Sequence, residues 1–174
     1  MDVIMRVFLS LGTNLGDRHY YMTEMVGRLM RVLKQPCATS SLMETEPLGM
    51  PPGAPWFLNR IMSGEYNGAP ETLHHHCRAI EAELGRVRGK GVTDRTADID
   101  ILLFGDRVIA NTNLTVPHPG IMERRFCLEG LREIAPLMRH PLDGRTFLQV
   151  YEAMDESVRA QTVCVIADTG AAGR

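Results

Sequence analysis

The 174-residue chain contains one stretch whose residue types and spacing suit a specific chemistry, Arg95-Thr96-Ala97-Asp98-Ile99-Asp100-Ile101-Leu102-Leu103-Phe104. Side chains of a strand alternate between its faces, so Asp98 and Asp100 project from one side while Ile99 and Ile101 point toward a core. Two carboxylates on one face repel each other unless a cation sits between them. Mg²⁺ suits that role, because it takes one or two carboxylates and completes its shell with water and phosphate oxygens. Two such ions could share the pair and grip a triphosphate. An isolated D-x-D is more often a solvent-facing strand with two unrelated acids. Here a cationic loop precedes it, with Arg86, Arg88, Lys90 and Arg95 around Gly89 and Gly91, and such a loop beside metal ligands fits a nucleotide phosphate. A basic loop by itself is as often a solvated turn. Leu114-Thr115-Val116-Pro117-His118, with Arg124 six residues on, adds an imidazole for phosphate contact or proton transfer and a forked guanidinium for phosphate oxygens. Taken singly, these two read as a packed loop histidine and an exposed helix-end arginine.

The elements that must position these residues follow from patterning. Val3 to Leu11 reads as a strand ending in the turn-rich Gly12-Thr13-Asn14-Leu15-Gly16-Asp17. Asp17 is an N-cap for a helix running to about Lys34, with Tyr21, Met25, Leu29 and Val32 as its buried stripe. A strand over residues 37–45 precedes a proline-rich loop, residues 46–55, with restricted backbone freedom. Phe57 to Tyr66 is the next strand, with Phe57, Asn59, Ile61 and Ser63 on one face. Pro70 opens a second helix that runs to Leu84 and ends at Gly85. Asp98–Phe104 is a strand, and Gly105-Asp106 is a hairpin-turn signal toward Val108-Ile109. Helices are expected over Met122–Ile134 and Phe147–Met154. Residues 157–174 form a tail in which Val163–Ile166 could be an edge strand. The order β, α, β, β, α, β, then further helices, is that of an α+β ferredoxin-like sandwich. Its sheet is mainly antiparallel, with helices on one face and extra C-terminal helices.

Length and composition bound the rest. A chain of 174 residues, 44% hydrophobic and 23% charged, suits a single domain over residues 1–174. The net charge of 19 − 21 = −2 and only 6% aromatics argue against a ferredoxin-like RNA-binding module, which wants a basic face and exposed sheet aromatics. No apolar run reaches the ~20 residues of a membrane span, and the first residues lack a signal-peptide pattern. Cys37, Cys77, Cys127 and Cys164 are far apart with no CxxC pair, which fits reduced thiols in the cytoplasm. No G-x-x-x-x-G-K-[ST] loop is present, so a P-loop enzyme is excluded. His74-His75-His76 lie about 100° apart around a helix and do not readily converge on one ion.

Three blocks in order carry a family resemblance: residues 9–17, residues 95–105, and residues 114–118 with Arg124 and Phe126. Thr45-Glu46-Pro47-Leu48-Gly49 and Phe57-Leu58-Asn59 lie between the first two. Over roughly residues 3–154 the chain resembles the 6-hydroxymethyl-7,8-dihydropterin pyrophosphokinases of folate biosynthesis. The resemblance implies two Mg²⁺ ions on Asp98 and Asp100, with ATP as co-substrate. It implies a pterin held between Phe57 and Phe126, hydrogen-bonded by Asn59 and flanked by backbone near Thr45 and Leu48. It implies that Arg86, Arg95, Arg124 and His118 attend the ATP phosphates, that Ile101 and Thr115 also contact ATP, and that Glu81 lies near the nucleotide. Arg86 and Arg95 are implied to act in catalysis with the two aspartates. Asp94 stands where the family usually has proline, Gly91-Val92-Thr93 where its loop often carries tryptophan, and Pro119 where an aromatic is frequent. The expectation is a cytoplasmic monomer that acts on small molecules and binds neither nucleic acid nor membrane.

Overall fold

A computed structural model describes residues 3–87 and 93–167 of the chain. The basic-loop residues Arg88, Gly89, Lys90, Gly91 and Val92 lie outside the described residues.

The central strand is β1 (Met5–Thr13), whose run of apolar residues is buried almost throughout. The side chain of Asp17 caps helix α1 (Arg18–Val32) by accepting from the Tyr20 N–H at 3.0 Å, and Met22, Met25 and Leu29 form its buried stripe. The strand expected over residues 37–45 is two strands, β2 (Lys34–Thr39) and β3 (Leu42–Thr45). They part at Ser40-Ser41, where the Ser41 N–H donates to the Glu133 carboxylate at 2.9 Å in place of a ladder partner. Both pair antiparallel with β4 (Phe57–Tyr66). Helix α2 (Pro70–Glu83) starts on proline, whose missing N–H is one that a first turn leaves unbonded anyway. Strand β5 (Asp98–Phe104) then runs antiparallel beside β1.

The sheet order is β5-β1-β4-β3, the ferredoxin-like arrangement, extended at one edge by β8 (Val163–Ile166) against β3. The α1/α2 face buries Leu9, Leu11, Leu58, Met62, Ile99 and Ile101. The other face, which the sequence reading left without helices, is covered by the C-terminal helices. Phe8, Ile61, Leu102 and Leu103 pack there against Cys127, Leu128, Leu131 and Phe147. Helix α4 (Arg125–Ile134) approaches so closely that a Cβ on Gly130 would lie 2.2 Å from Ile61 Cγ1, so glycine sets that spacing.

Three further expectations change. Gly105-Asp106 does turn the chain, with the Arg107 N–H donating to Phe104 O at 3.1 Å. However, β6 (Ile109–Ala110) pairs with β7 (Thr115–Val116) instead of returning along β5. The outer edge of β5 is satisfied otherwise: Ile99 N–H by the Glu81 carboxylate at 2.8 Å, and Leu102 C=O by the His118 N–H at 2.9 Å. The helix expected over residues 122–134 is α3 (Gly120–Glu123) and α4 (Arg125–Ile134), separated by Arg124 in extended conformation at φ −121°, ψ 113°. After α5 (Phe147–Glu152), the tail forms a short helix α6 (Glu156–Arg159) and then β8. Among the described residues no helix is long and apolar enough to cross a membrane.

Candidate active site

Register across the sheet brings distant residues to one patch on the α4 side. Asp98 lies opposite Gly12 and Asp100 opposite Ser10. Gly12 in turn faces Asn59, and Phe57 faces Thr45. Directly opposed residues share a face, so the carboxylates, the amide and the aromatic ring rise together. A Cβ on Gly12 would sit 3.0 Å from Asn59 Oδ1 and press on that amide, while its 3.9 Å contacts with Asp98 Cβ and Phe57 Cδ1 would be ordinary. Buried Asn59 donates from Nδ2 to Thr45 Oγ1 at 2.7 Å, which leaves hydrogen-bonding capacity toward the cavity it lines. That cavity has a volume of about 310 Å³. Thr45, Leu48, Phe57, Asn59, Arg86, Arg95, Asp98, Asp100, Arg124 and Phe126 all line it.

Charge is distributed unevenly between the two carboxylates. Asp98 is paired with the Arg86 guanidinium and with Arg95 Nε at 3.1 Å. The Arg95 guanidinium also lies over the Phe57 ring, 5.1 Å from its centroid. Its backbone is clamped by Asn14, which accepts from the Arg95 N–H at 2.8 Å and donates its own N–H to Arg95 O at 3.0 Å. Asn14 Nδ2 donates to Asp94 Oδ1 at 2.8 Å, so the Asp94 carboxylate is turned onto Asn14. Among the described residues Asp100 has no such close neutralisation: His118 Nε2 and Arg124 each stand 3.9 Å away. Burial, and then the charge of Asp98, push its carboxyl above the usual 3.8, with His118 and Arg124 opposing. A partly buried hard-oxygen ligand short of counter-charge, beside a second carboxylate, fits Mg²⁺. Among the described residues no group of three or more His, Cys, Asp or Glu could hold a metal.

A second cavity of about 230 Å³ is lined by Ile101, Thr115, His118 and Pro119, together with His74 and Asn111–Leu114. The two cavities share Asp100 and Arg78. His118 Nδ1 accepts from the Gly120 N–H at 3.0 Å, so the neutral ring carries its proton on Nε2, the nitrogen facing Asp100.

Glu81 lines neither cavity. It is 1% exposed and accepts from Arg78 at 2.9 Å, Arg86 at 2.7 Å and the Ile99 N–H at 2.8 Å. Its geometry is that of a support beneath the site. Sequence reasoning missed Arg78, which was findable as the residue one helical turn before Glu81. It also missed Ser10 on the floor, and Gln161, Thr162 and Val163, which line the larger cavity from the tail. No local motif marks those three.

The family described as 7,8-dihydro-6-hydroxymethylpterin-pyrophosphokinase (HPPK) matches residues 8–136. The chain is 38% identical over 144 residues to the 2-amino-4-hydroxy-6-hydroxymethyldihydropteridine pyrophosphokinase of Pseudomonas aeruginosa, spanning 82% of this chain and 88% of that one. Against the Bacillus subtilis protein of the same name the identity is 39% over 128 residues, 73% of this chain and 76% of that. It is 33% identical over 150 residues to the folic acid synthesis protein fol1 of Pneumocystis carinii, where it spans 84% of its own length but 20% of the relative. The wild-type HPPK-DHPS of Plasmodium falciparum solved with pteroate superposes at a TM-score of 0.69, with 15% identity, over 87% of this chain and 44% of that one. At that identity it speaks for the fold alone.

Proposed function

The chain belongs to the 7,8-dihydro-6-hydroxymethylpterin-pyrophosphokinase family, and from that premise we propose the reaction and the residues that carry it. The protein transfers the terminal diphosphate of ATP to the hydroxymethyl group of 6-hydroxymethyl-7,8-dihydropterin. The products are AMP and the pterin diphosphate used in folate synthesis. The observation that carries this reading is one cavity lined by both an aromatic-and-amide pocket and the aspartate pair, sharing Asp100 and Arg78 with a second cavity. A pterin and a nucleotide in the two would meet at the carboxylates.

The pterin lies between Phe57 and Phe126, whose faces suit a flat heteroaromatic ring. Asn59 hydrogen-bonds its edge, with Thr45 and Leu48 bordering the ring. The nucleotide extends over Ile101 and Thr115, and its phosphates reach His118, Arg124, Arg86 and Arg95. Asp98 and Asp100 would hold two Mg²⁺ ions, which when bound supply positive charge to the triphosphate and the attacking hydroxyl. The new bond joins the hydroxymethyl oxygen to the β-phosphorus. The bond that breaks runs from that phosphorus to the α–β bridging oxygen, which leaves on AMP. Arg86 and Arg95, paired with Asp98 in the free protein, turn to the phosphates and neutralise charge there. Alignment and charge stabilisation provide most of the acceleration. Glu81 orients Arg86 from beneath the nucleotide. The unit acts as a single-domain monomer on small molecules, and its free cysteines suit the reducing cytoplasm.

Asn59→Ala tests the pocket. It should weaken pterin binding about tenfold, roughly 1.4 kcal/mol for an unmatched buried edge, and leave ATP affinity unchanged. Fluorescence titration of the pterin and calorimetry with ATP would read the two. Pterin affinity that survives the substitution would remove Asn59 from the site.

A further inference from the structure

We propose that Gln161, in the tail beyond the family match, is a positioning residue that holds Arg124 in its active conformation. This assignment rests on the functional reading above. Arg124 is the extended residue between α3 and α4, and a helix break leaves backbone groups without intrahelical partners. The Gln161 carboxamide occupies that gap from the other side of the cavity. Its Nε2 donates to Glu123 O at 2.8 Å, and its Oε1 accepts from the Arg125 N–H at 2.9 Å. The two bonds bracket Arg124 and replace the helical bonds the break removes. No side chain caps α4 at Arg124 itself.

The tail is in turn fixed at both ends of this contact. The Arg125 guanidinium donates to Arg159 O at 2.8 Å and Gln161 O at 3.2 Å. The Thr162 N–H donates to Glu46 Oε1 at 2.8 Å, and Val163 pairs with Thr45 in the β3–β8 ladder. Gln161-Thr162 therefore spans the cavity mouth from the Thr45–Leu48 side to the Arg124–Phe126 side. With the bracket in place the Arg124 guanidinium points at Asp100. Without it, residues 123–125 are free to continue as helix, which swings residue 124 away.

The test is a double-mutant cycle of Gln161→Ala and Arg124→Ala, reading kcat and KM for both substrates and the urea unfolding midpoint. Gln161→Ala should lower kcat/KM for ATP by about ten- to a hundredfold while the midpoint holds, because the bonds are near the surface. In the Arg124→Ala background the same substitution should cost less than about twofold. Gln161→Glu, which keeps the acceptor for Arg125 N–H and loses the donor to Glu123 O, should fall between. Equal losses in both backgrounds, or a loss that tracks a lowered midpoint, would make Gln161 a structural residue only and overturn the assignment. Normal kinetics for Gln161→Ala in an active protein would overturn it too. An inactive wild-type chain would instead overturn the functional reading, and this assignment with it.

Discussion

Asp100→Asn should lower turnover by roughly a thousandfold, about 4 kcal/mol of transition-state stabilisation, and in metal-free protein raise the melting temperature. The two effects share one cause. Burial and the neighbouring Asp98 charge raise the Asp100 carboxyl above 3.8, so the folded protein binds its proton more tightly than the unfolded chain. Its contribution to stability is therefore present below 3.8 and lost as pH rises through the raised folded value. Above that raised value the ionised carboxylate carries the cost, and asparagine removes it. The proposed function needs the charge that folding resists. The same shift predicts that metal affinity falls on acidification at a higher pH than an ordinary carboxylate would give. Asp98→Asn should match the loss of turnover but move stability the other way, because its carboxylate neutralises half-buried Arg86 and Arg95. Calorimetry in EDTA distinguishes the two. Melting temperatures that fall alike would mean that Asp100 is not frustrated in the free protein.

Glu81→Ala should be the most destabilising single change near the site. The carboxylate is 1% exposed and holds Arg78, Arg86 and the Ile99 N–H together. Removing one partner from a buried charged cluster costs about 3–5 kcal/mol, because the remaining groups stay buried without compensation. The expected loss is about 3 kcal/mol by urea denaturation, since Arg78 can turn toward solvent. Glu81→Gln keeps an oxygen for Ile99 N–H but turns a donor toward the arginines, and it should recover only part of the loss. Activity should fall in both variants through Arg86 and the β5 edge. A Glu81→Ala protein of normal stability would contradict a supporting role and favour direct contact with the nucleotide.

The parts of this molecule that were legible in sequence are those governed by local periodicity. Alternation along residues 98–104 placed Asp98 and Asp100 on one face and Ile99 and Ile101 in the core, as the structure has them. Asp17 and Pro70 marked two helix starts that the structure keeps. Features settled by contacts between distant segments were not legible. Ser40-Ser41 breaks a strand because Glu133, 92 residues away, takes its N–H. Arg124 interrupts a helix at the point where Gln161 bonds the peptides around it. The hairpin expected at Gly105-Asp106 fails to pair with β5 because the β5 edge already bonds Glu81 and His118. Of the residues of the larger cavity, Asp98 and Asp100 were legible from strand alternation, while Thr45, Leu48, Phe57, Asn59 and Phe126 followed only from the family resemblance of the blocks that hold them. Arg78 and the tail residues lie outside those blocks.

The most direct test of the central claim is to mix the protein with Mg-ATP and 6-hydroxymethyl-7,8-dihydropterin and resolve the nucleotide products. Pyrophosphoryl transfer predicts pterin-dependent AMP in equal amount to the pterin diphosphate, abolished by Asp98→Asn or Asp100→Asn. ADP in place of AMP, or AMP formed without pterin, would contradict it.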